Sequence, residues 1–304
     1  MDIDSIKINF SQDQLFLLNL ILAFLMFGIA LDIRLEDFKK IFQRPKSPIV
    51  GLTSEYLLLP LLTLLLIWIF QPAASLALGM VLIAVCPGGS TSNFMVHLSG
   101  ANSALSIMLT SLTTLAAIVV TPFAFTFWSS FVPGTESLQT AIRVDPYQMV
   151  KTIVQLILVP VLIGMFIHHR FPYFTARYLQ RPIRIISIVL FLGFVVVAVM
   201  KNLSNMYEYL YLVFFIVLVH NGLSLLVGYF FSKSMRVPEQ DARAISIETG
   251  IQNSGLGLIL VFNFFDGIGG MAMILAWWGV WHLISGFGLA LIWSRYKKPL
   301  PFTP

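Results

Sequence analysis

Charge is scarce in this chain of 304 residues: Asp, Glu, Lys and Arg together make up 11% of it, against about a quarter in soluble domains. That scarcity excludes an ordinary water-facing surface. The single cysteine, Cys86, excludes an internal disulfide and a multi-cysteine metal cage; in its apolar run it reads as a packing residue. No nucleophile and base stand together in a recognisable motif, which argues against an intramembrane enzyme, although Ser90 and His282 stay open as a pair. Met1 to Asp13 is polar and mixed in charge, without a basic n-region or a short apolar h-region. No cleaved signal or transit peptide is expected there.

What is abundant is apolar. Hydrophobic residues make up 58% of the chain, and the mean hydropathy is +0.86. The apolar runs approach the ~20 residues that span a bilayer, so the fold class is an all-α polytopic membrane protein. Nine transmembrane helices are expected: Gln14–Leu31, Pro48–Phe70, Ala73–Gly100, Ala104–Ser129, Met149–Ile167, Ile185–Met200, Tyr209–Phe231, Ala244–Phe265 and Met271–Ser294. Lysine and arginine set the orientation. With the N-terminus outside, 15 of the 19 fall on inward segments, at Arg34 to Lys46, Arg170 to Arg184, Lys233 to Arg243 and Arg295 to Lys298. Residues 1–13 are then external and 295–304 a cytoplasmic tail, in a bacterial inner membrane or a plasma membrane. The net charge of +5 follows from this inward bias and calls for no nucleic acid, and no obligate protein partner is evident.

Two spans carry breaks. In the third, Cys86-Pro-Gly-Gly-Ser-Thr-Ser-Asn93 is poor material for a continuous helix. In the eighth, the break falls at Gly250, within Glu248-Thr-Gly-Ile-Gln-Asn-Ser-Gly255. Glu248 is costly at membrane depth, roughly 2.5–3.5 kcal/mol, and is expected to meet a cation, a proton or a substrate. Backbone freed inside a membrane must be satisfied by protein, water or solute, so each break implies a cavity. The breaks occupy matching places in two halves, 14–130 and 147–294, together the transmembrane domain 14–294. A four-plus-five arrangement of this kind looks like an inverted repeat that has lost its opening helix, and paired interrupted helices point to a transporter's binding site.

The two broken segments, Val219-His-Asn-Gly222 and Trp281-His282 together resemble the bile acid:sodium symporter family, in order and over nearly the whole chain. The resemblance implies a core domain (73–129 and 209–294) whose two unwound helices cross near the midplane. A panel domain (14–70 and 149–200) stands beside it. It also implies two sodium ions. The first falls on Ser92, Asn93, Ser106, Thr110 and Glu248; Ser106 and Thr110 are four apart, so their hydroxyls share one helix face. The second falls on Glu248, Thr249, Ile251, Gln252 and a residue of the second span. There this chain has Glu55 within Thr53-Ser-Glu-Tyr56, where the family pattern has glutamine. Two carboxylates sharing a site leave one protonated unless a cation lies between them, so a proton can replace the second sodium. Alternatively Glu55 faces a watery vestibule.

Helix N-termini at the breaks suit an organic anion, and Ser90, Thr91, Asn253 and His282 are the candidate substrate contacts. The expected activity is sodium-coupled import of a bile acid-like sterol or a small carboxylate by alternating access. Proton or mixed coupling, metalloid export through Cys86 and intramembrane catalysis are the alternatives. His97 and His220 read as structural.

Overall fold

Apolar stretches form long helices here, some of them running through a proline such as Pro122, while clustered proline, glycine and small polar residues mark the stop after Ala84. The structure, a computed structural model, describes residues 3–5, 12–31, 45–135 and 146–295. The described residues are helical, with no strand beyond an isolated antiparallel bridge between Gly88 and Gln252. The helices are α1 (Gln12–Ala30), α2 (Lys46–Phe70), α3 (Ala74–Ala84), α4 (Thr91–Ser99) and α5 (Ser103–Ser129). They continue with α6 (Tyr147–Arg170), α7 (Gln180–Ser234), α8 (Glu239–Gly250), α9 (Ser254–Phe264) and α10 (Gly269–Ser294). Among the described residues, five stretches are long and apolar enough to cross a membrane: α2, α5, α6, Tyr209–Ser234 of α7, and α10. Most of 1–13, the tail from 296, and the orienting basic residues at 34–44, 143, 297 and 298 lie outside the described residues.

Two expectations meet a different structure. The sixth and seventh spans were expected as separate helices, but α7 runs unbroken through 55 residues. Residues 201–208 contain neither proline nor glycine, so nothing in the backbone chemistry stops the helix there. The second span, expected with the panel, packs as α2 against α3, α5, α8 and α7. α1 instead packs against α6 and α7. Gln180 Nε2 donates to the Leu31 carbonyl at 2.7 Å and ties the start of α7 to the end of α1.

Proline shapes α2. Pro60 has no N–H for the Tyr56 carbonyl, and its ring crowds that oxygen. The turn before it, Ser54–Leu58, is π-helical and carries Glu55, which is 2% exposed. A π turn also precedes Pro160 in α6, at Val154–Leu158.

The stop after α3 and the stop after α8 satisfy each other. Gly89 N–H donates to the Ile251 carbonyl at 2.7 Å, and Asn253 N–H donates to the Pro87 carbonyl at 2.8 Å. Backbone groups released by the two breaks are thereby paired away from water. At the far end of α8, Asp241 accepts from Ser47 Oγ at 2.5 Å and Asn102 Nδ2 at 2.8 Å, joining the N-terminal ends of α2, α5 and α8. Glu239 anchors the same end. Burial pushes its carboxyl up, but hydrogen bonds from Lys233, Arg243 and Tyr229 outweigh this and hold it below the usual carboxylate range.

α3 is buried all round and meets α10 closely: a Cβ on Gly79 would lie 2.9 Å from Met271 Cα. Nothing lies within 4 Å of the corresponding point on Gly222 in α7. Gly79→Ala is therefore expected to cost about 1–3 kcal/mol through overpacking, whereas Gly222→Ala should be neutral or gain up to ~1 kcal/mol of helix propensity. Thermal unfolding of both purified variants checks this. Equal melting temperatures would contradict the close α3–α10 approach.

Candidate cation and substrate site

Glu248 sits two residues before the end of α8 and is fully buried. Its Oε1 accepts from Ser92 Oγ at 2.5 Å and from Ser106 Oγ; its Oε2 accepts from Thr110 Oγ1 at 2.8 Å. Ser92 is in the first turn of α4, while Ser106 and Thr110 lie one turn apart on α5. Asn93 Oδ1 joins the group, 2.8 Å from Ser106 Oγ and 3.2 Å from Thr110 Oγ1. All five residues expected in the first ion site thus converge.

Protons are short in this cage. Ser106 has one hydroxyl proton for Glu248 and Asn93, and Thr110 has one for Glu248, Asn93 and the Ser106 carbonyl. Carboxylate and amide oxygens accept only, so lone pairs outnumber the protons that can fill them. A surplus of hard oxygen acceptors in a dry site is the donor set that a small alkali cation takes. Among the described residues no group of three or more His, Cys, Asp or Glu is placed to hold a metal ion.

Glu55 is brought beside Glu248 by α2. A Cβ built on Gly88 would lie 2.9 Å from Glu248 Oε2 and 3.7 Å from Glu55 Oε2. Neither carboxylate oxygen of Glu55 has a hydrogen-bond partner, and Gln252 Oε1 likewise has none. Glu55 is buried, so it lines no watery vestibule in this conformation. Gln252 Nε2 donates to the carbonyls of Glu248 (3.3 Å) and Thr249 (3.1 Å), while the Ile251 carbonyl takes the Gly89 N–H. The carbonyls expected in the second ion site therefore carry protein partners here, each keeping a second lone pair. Ser54 Oγ and Thr249 Oγ1, 2.8 Å apart, tie α2 to α8 beside them.

The four candidate substrate residues, Ser90, Thr91, Asn253 and His282, line one cavity of about 50 Å³ with Gly89, Gln252 and Leu283. Asn253 divides its side chain. Oδ1 accepts the Leu256 N–H and caps α9, which leaves Nδ2 a buried donor without a partner. Thr91 and Leu283 also line a larger cavity of about 630 Å³, together with Phe94, Met95, Ile185, Phe287, Gln180 and Arg181. Spacing along the chain gave no sign of this second cavity, because its wall joins α4 and α10 to the start of α7. His220 is buried, 2.8 Å from Thr63 Oγ1 and edge-on to Trp278.

The apolar spans and this buried site fit a membrane transporter, and likeness to known proteins gives the family. The chain belongs to the Sodium Bile acid symporter family, whose description matches residues 19–209. It is 32% identical to the "Uncharacterized sodium-dependent transporter YocS" of Bacillus subtilis, over 92% of this chain and 84% of that one. Two chloroplast proteins are similar over most of this chain. They are the "Probable sodium/metabolite cotransporter BASS2" of rice (30% identity; 91% of this chain, 64% of that one) and BASS1 of Arabidopsis thaliana (28%; 90% and 66%). The chain thus spans slightly under two thirds of these plant relatives.

Sodium chloride is expected to raise the melting temperature of the purified protein above its value in choline chloride, since an ion that binds the native state stabilises it. Glu248→Gln should remove that rise. An undiminished rise in the variant would show that the cage does not hold the ion.

Proposed function

We propose that this chain is a secondary active symporter that couples the entry of sodium to the import of an organic anion by alternating access. The surplus of acceptors around Glu248 carries this reading, and the names of the bacterial and plant relatives support it. Ser92, Asn93, Ser106, Thr110 and Glu248 hold one sodium ion. Glu55, Glu248, Gln252 and the carbonyls of Thr249 and Ile251 hold a second. The substrate's anionic group meets Asn253 Nδ2 and the start of α4 beside Ser90 and Thr91, with His282 in the same cavity wall. An apolar body extends past Leu283 into the larger cavity toward Arg181. That combination suits an amphipathic carboxylate.

The gap between α3 and α4, and the one between α8 and α9, form the two interrupted, crossing helices of an inverted repeat. Their cross-connections at Gly89 and Asn253 support this. The core comprises α2 to α5, the end of α7 and α8 to α10; α1, α6 and the start of α7 form the panel. The basic-residue bias supports an N-terminus outside; nine crossings would need a turn near 201–208, where α7 is continuous.

Two sodium ions carried with a monoanion move one net charge, worth ~2.3 kcal/mol per 100 mV. In proteoliposomes, uptake of a carboxylate or sterol acid should require sodium, carry inward current and vanish in Glu248→Ala. Uptake indifferent to sodium and potential would overturn the reading.

A second reading, mixed sodium and proton coupling, is favoured by one observation: Glu55 is a carboxylate without a partner in the space it shares with Glu248. Two ionised carboxylates share such a space only with a cation between them. Sodium dependence should therefore shift with pH in the wild type, and Glu55→Gln should flatten that shift. Uptake against sodium concentration at several pH values checks this, and superimposable curves for the two proteins would leave sodium alone as the coupling ion.

A further inference from the structure

Gly88 is the point at which the two carboxylates meet, and a third oxygen faces the same point. A Cβ built on Gly88 would lie 3.5 Å from Thr113 Oγ1, between Glu248 Oε2 and Glu55 Oε2. Thr113 is three residues after Thr110 and seven after Ser106, on the same face of α5. Its hydroxyl is fully buried, accepts the Gly88 N–H at 3.2 Å and donates to the Thr110 carbonyl at 3.3 Å. With its proton committed to a carbonyl, the hydroxyl can offer its remaining lone pair to a cation or to a hydrogen-bond donor. Glu55 supplies the independent sign of a missing ligand: both of its oxygens are buried and without partners, and one of them faces this space.

We infer that the second coupling cation binds over the bare face of Gly88, between Glu55 and Glu248, with Thr113 Oγ1 as an additional ligand. The placement rests on the sodium-coupled reading above and adds two residues to it. Glycine is required at position 88 because a methyl group would occupy the cation's place and press on Glu248 Oε2. The two ions then divide Glu248, Oε1 serving the Ser92 and Ser106 side and Oε2 serving Thr110 and the Gly88 space. Thr113 also sits one turn from the first cage and contacts it through the Thr110 carbonyl, so the two sites are linked through α5 as well as through Glu248.

The test is calorimetric titration of sodium into the purified full-length protein, with choline keeping the ionic strength constant. Wild type should bind two ions, and Thr113→Val should bind the second about tenfold more weakly, the loss of one oxygen contact to a charge. Thr113→Ser keeps the hydroxyl and should stay within about twofold of wild type, since only the methyl is lost. Gly88→Ala should bind a single ion. Because Thr113→Val also breaks the Gly88 hydrogen bond, substrate affinity is measured at saturating sodium. It should be unchanged if Thr113 acts on the ion and lowered if the valine merely distorts the break. Two wild-type binding steps in Thr113→Val, or lowered substrate affinity at saturating sodium, would overturn the placement and leave the symporter reading standing. No sodium binding by the wild type would overturn both.

Discussion

A carboxylate enclosed among hydroxyls and buried from bulk solvent is the constraint to which the rest of this structure answers. Taking Glu248 out of water carries a penalty of several kcal/mol unless its charge is met by hydrogen bonds or by a cation. Three hydroxyls from α4 and α5 meet part of that demand. They can do so only because α4, α5 and α8 converge at a place where two helices stop. The stops are in turn possible at depth only because Gly89 and Asn253 return their N–H groups to the opposite break. Removing either hydrogen bond would free backbone polar groups in a dry interior, at about 1–3 kcal/mol each.

This dependence explains why ion and substrate binding can be linked without a long pathway. Glu248 is in the last turn of α8, Asn253 caps α9 five residues later, and Gly89 lies between the ion cage and Ser90. A cation that draws Ser92 and Glu248 together therefore acts on the same turn that presents Asn253 Nδ2 to the cavity. Coupling of this kind is reciprocal: whatever sodium adds to substrate affinity, substrate adds to sodium affinity. Glu55 enters the same small volume from α2, so a third element packed on the crossing faces the same carboxylate.

The convergence of the five residues proposed for the first ion was legible mainly through the family resemblance. Ser106 and Thr110 stand at helical spacing, and Ser92, Asn93 and Glu248 lie beside breaks that no soluble helix would carry. The grouping of Ser90, Thr91, Asn253 and His282 around one cavity could likewise be anticipated from the paired breaks. What could not be read depended on contacts between distant elements. Nothing in residues 46–70 says that α2 packs against α8 rather than α1, and so nothing said whether Glu55 faces Glu248 or water. Thr113 reads as one more hydroxyl back-bonded to its helix until Gly88 is placed beside it. Asn253 was legible as a polar contact but not as a residue that spends its oxygen on a cap and keeps its nitrogen free. The continuity of α7 escaped notice because polar residues at 201–208 suggest a turn, while helix formation there needs only the absence of proline and glycine.

The central claim is that the oxygens around Glu248 are a cation cage and not a self-satisfied hydrogen-bond cluster. It is tested most directly by determining the structure twice at high resolution, once in saturating sodium and once with choline in its place. The account predicts an ion within coordination distance of Glu248, Ser92, Asn93, Ser106 and Thr110 in sodium, with the Ser106 and Thr110 hydroxyl protons turned away from Glu248. It predicts that the ion is lost and the hydrogen bonds restored in choline. Identical cages in the two conditions, with the hydroxyls still bonded to Glu248, would contradict it.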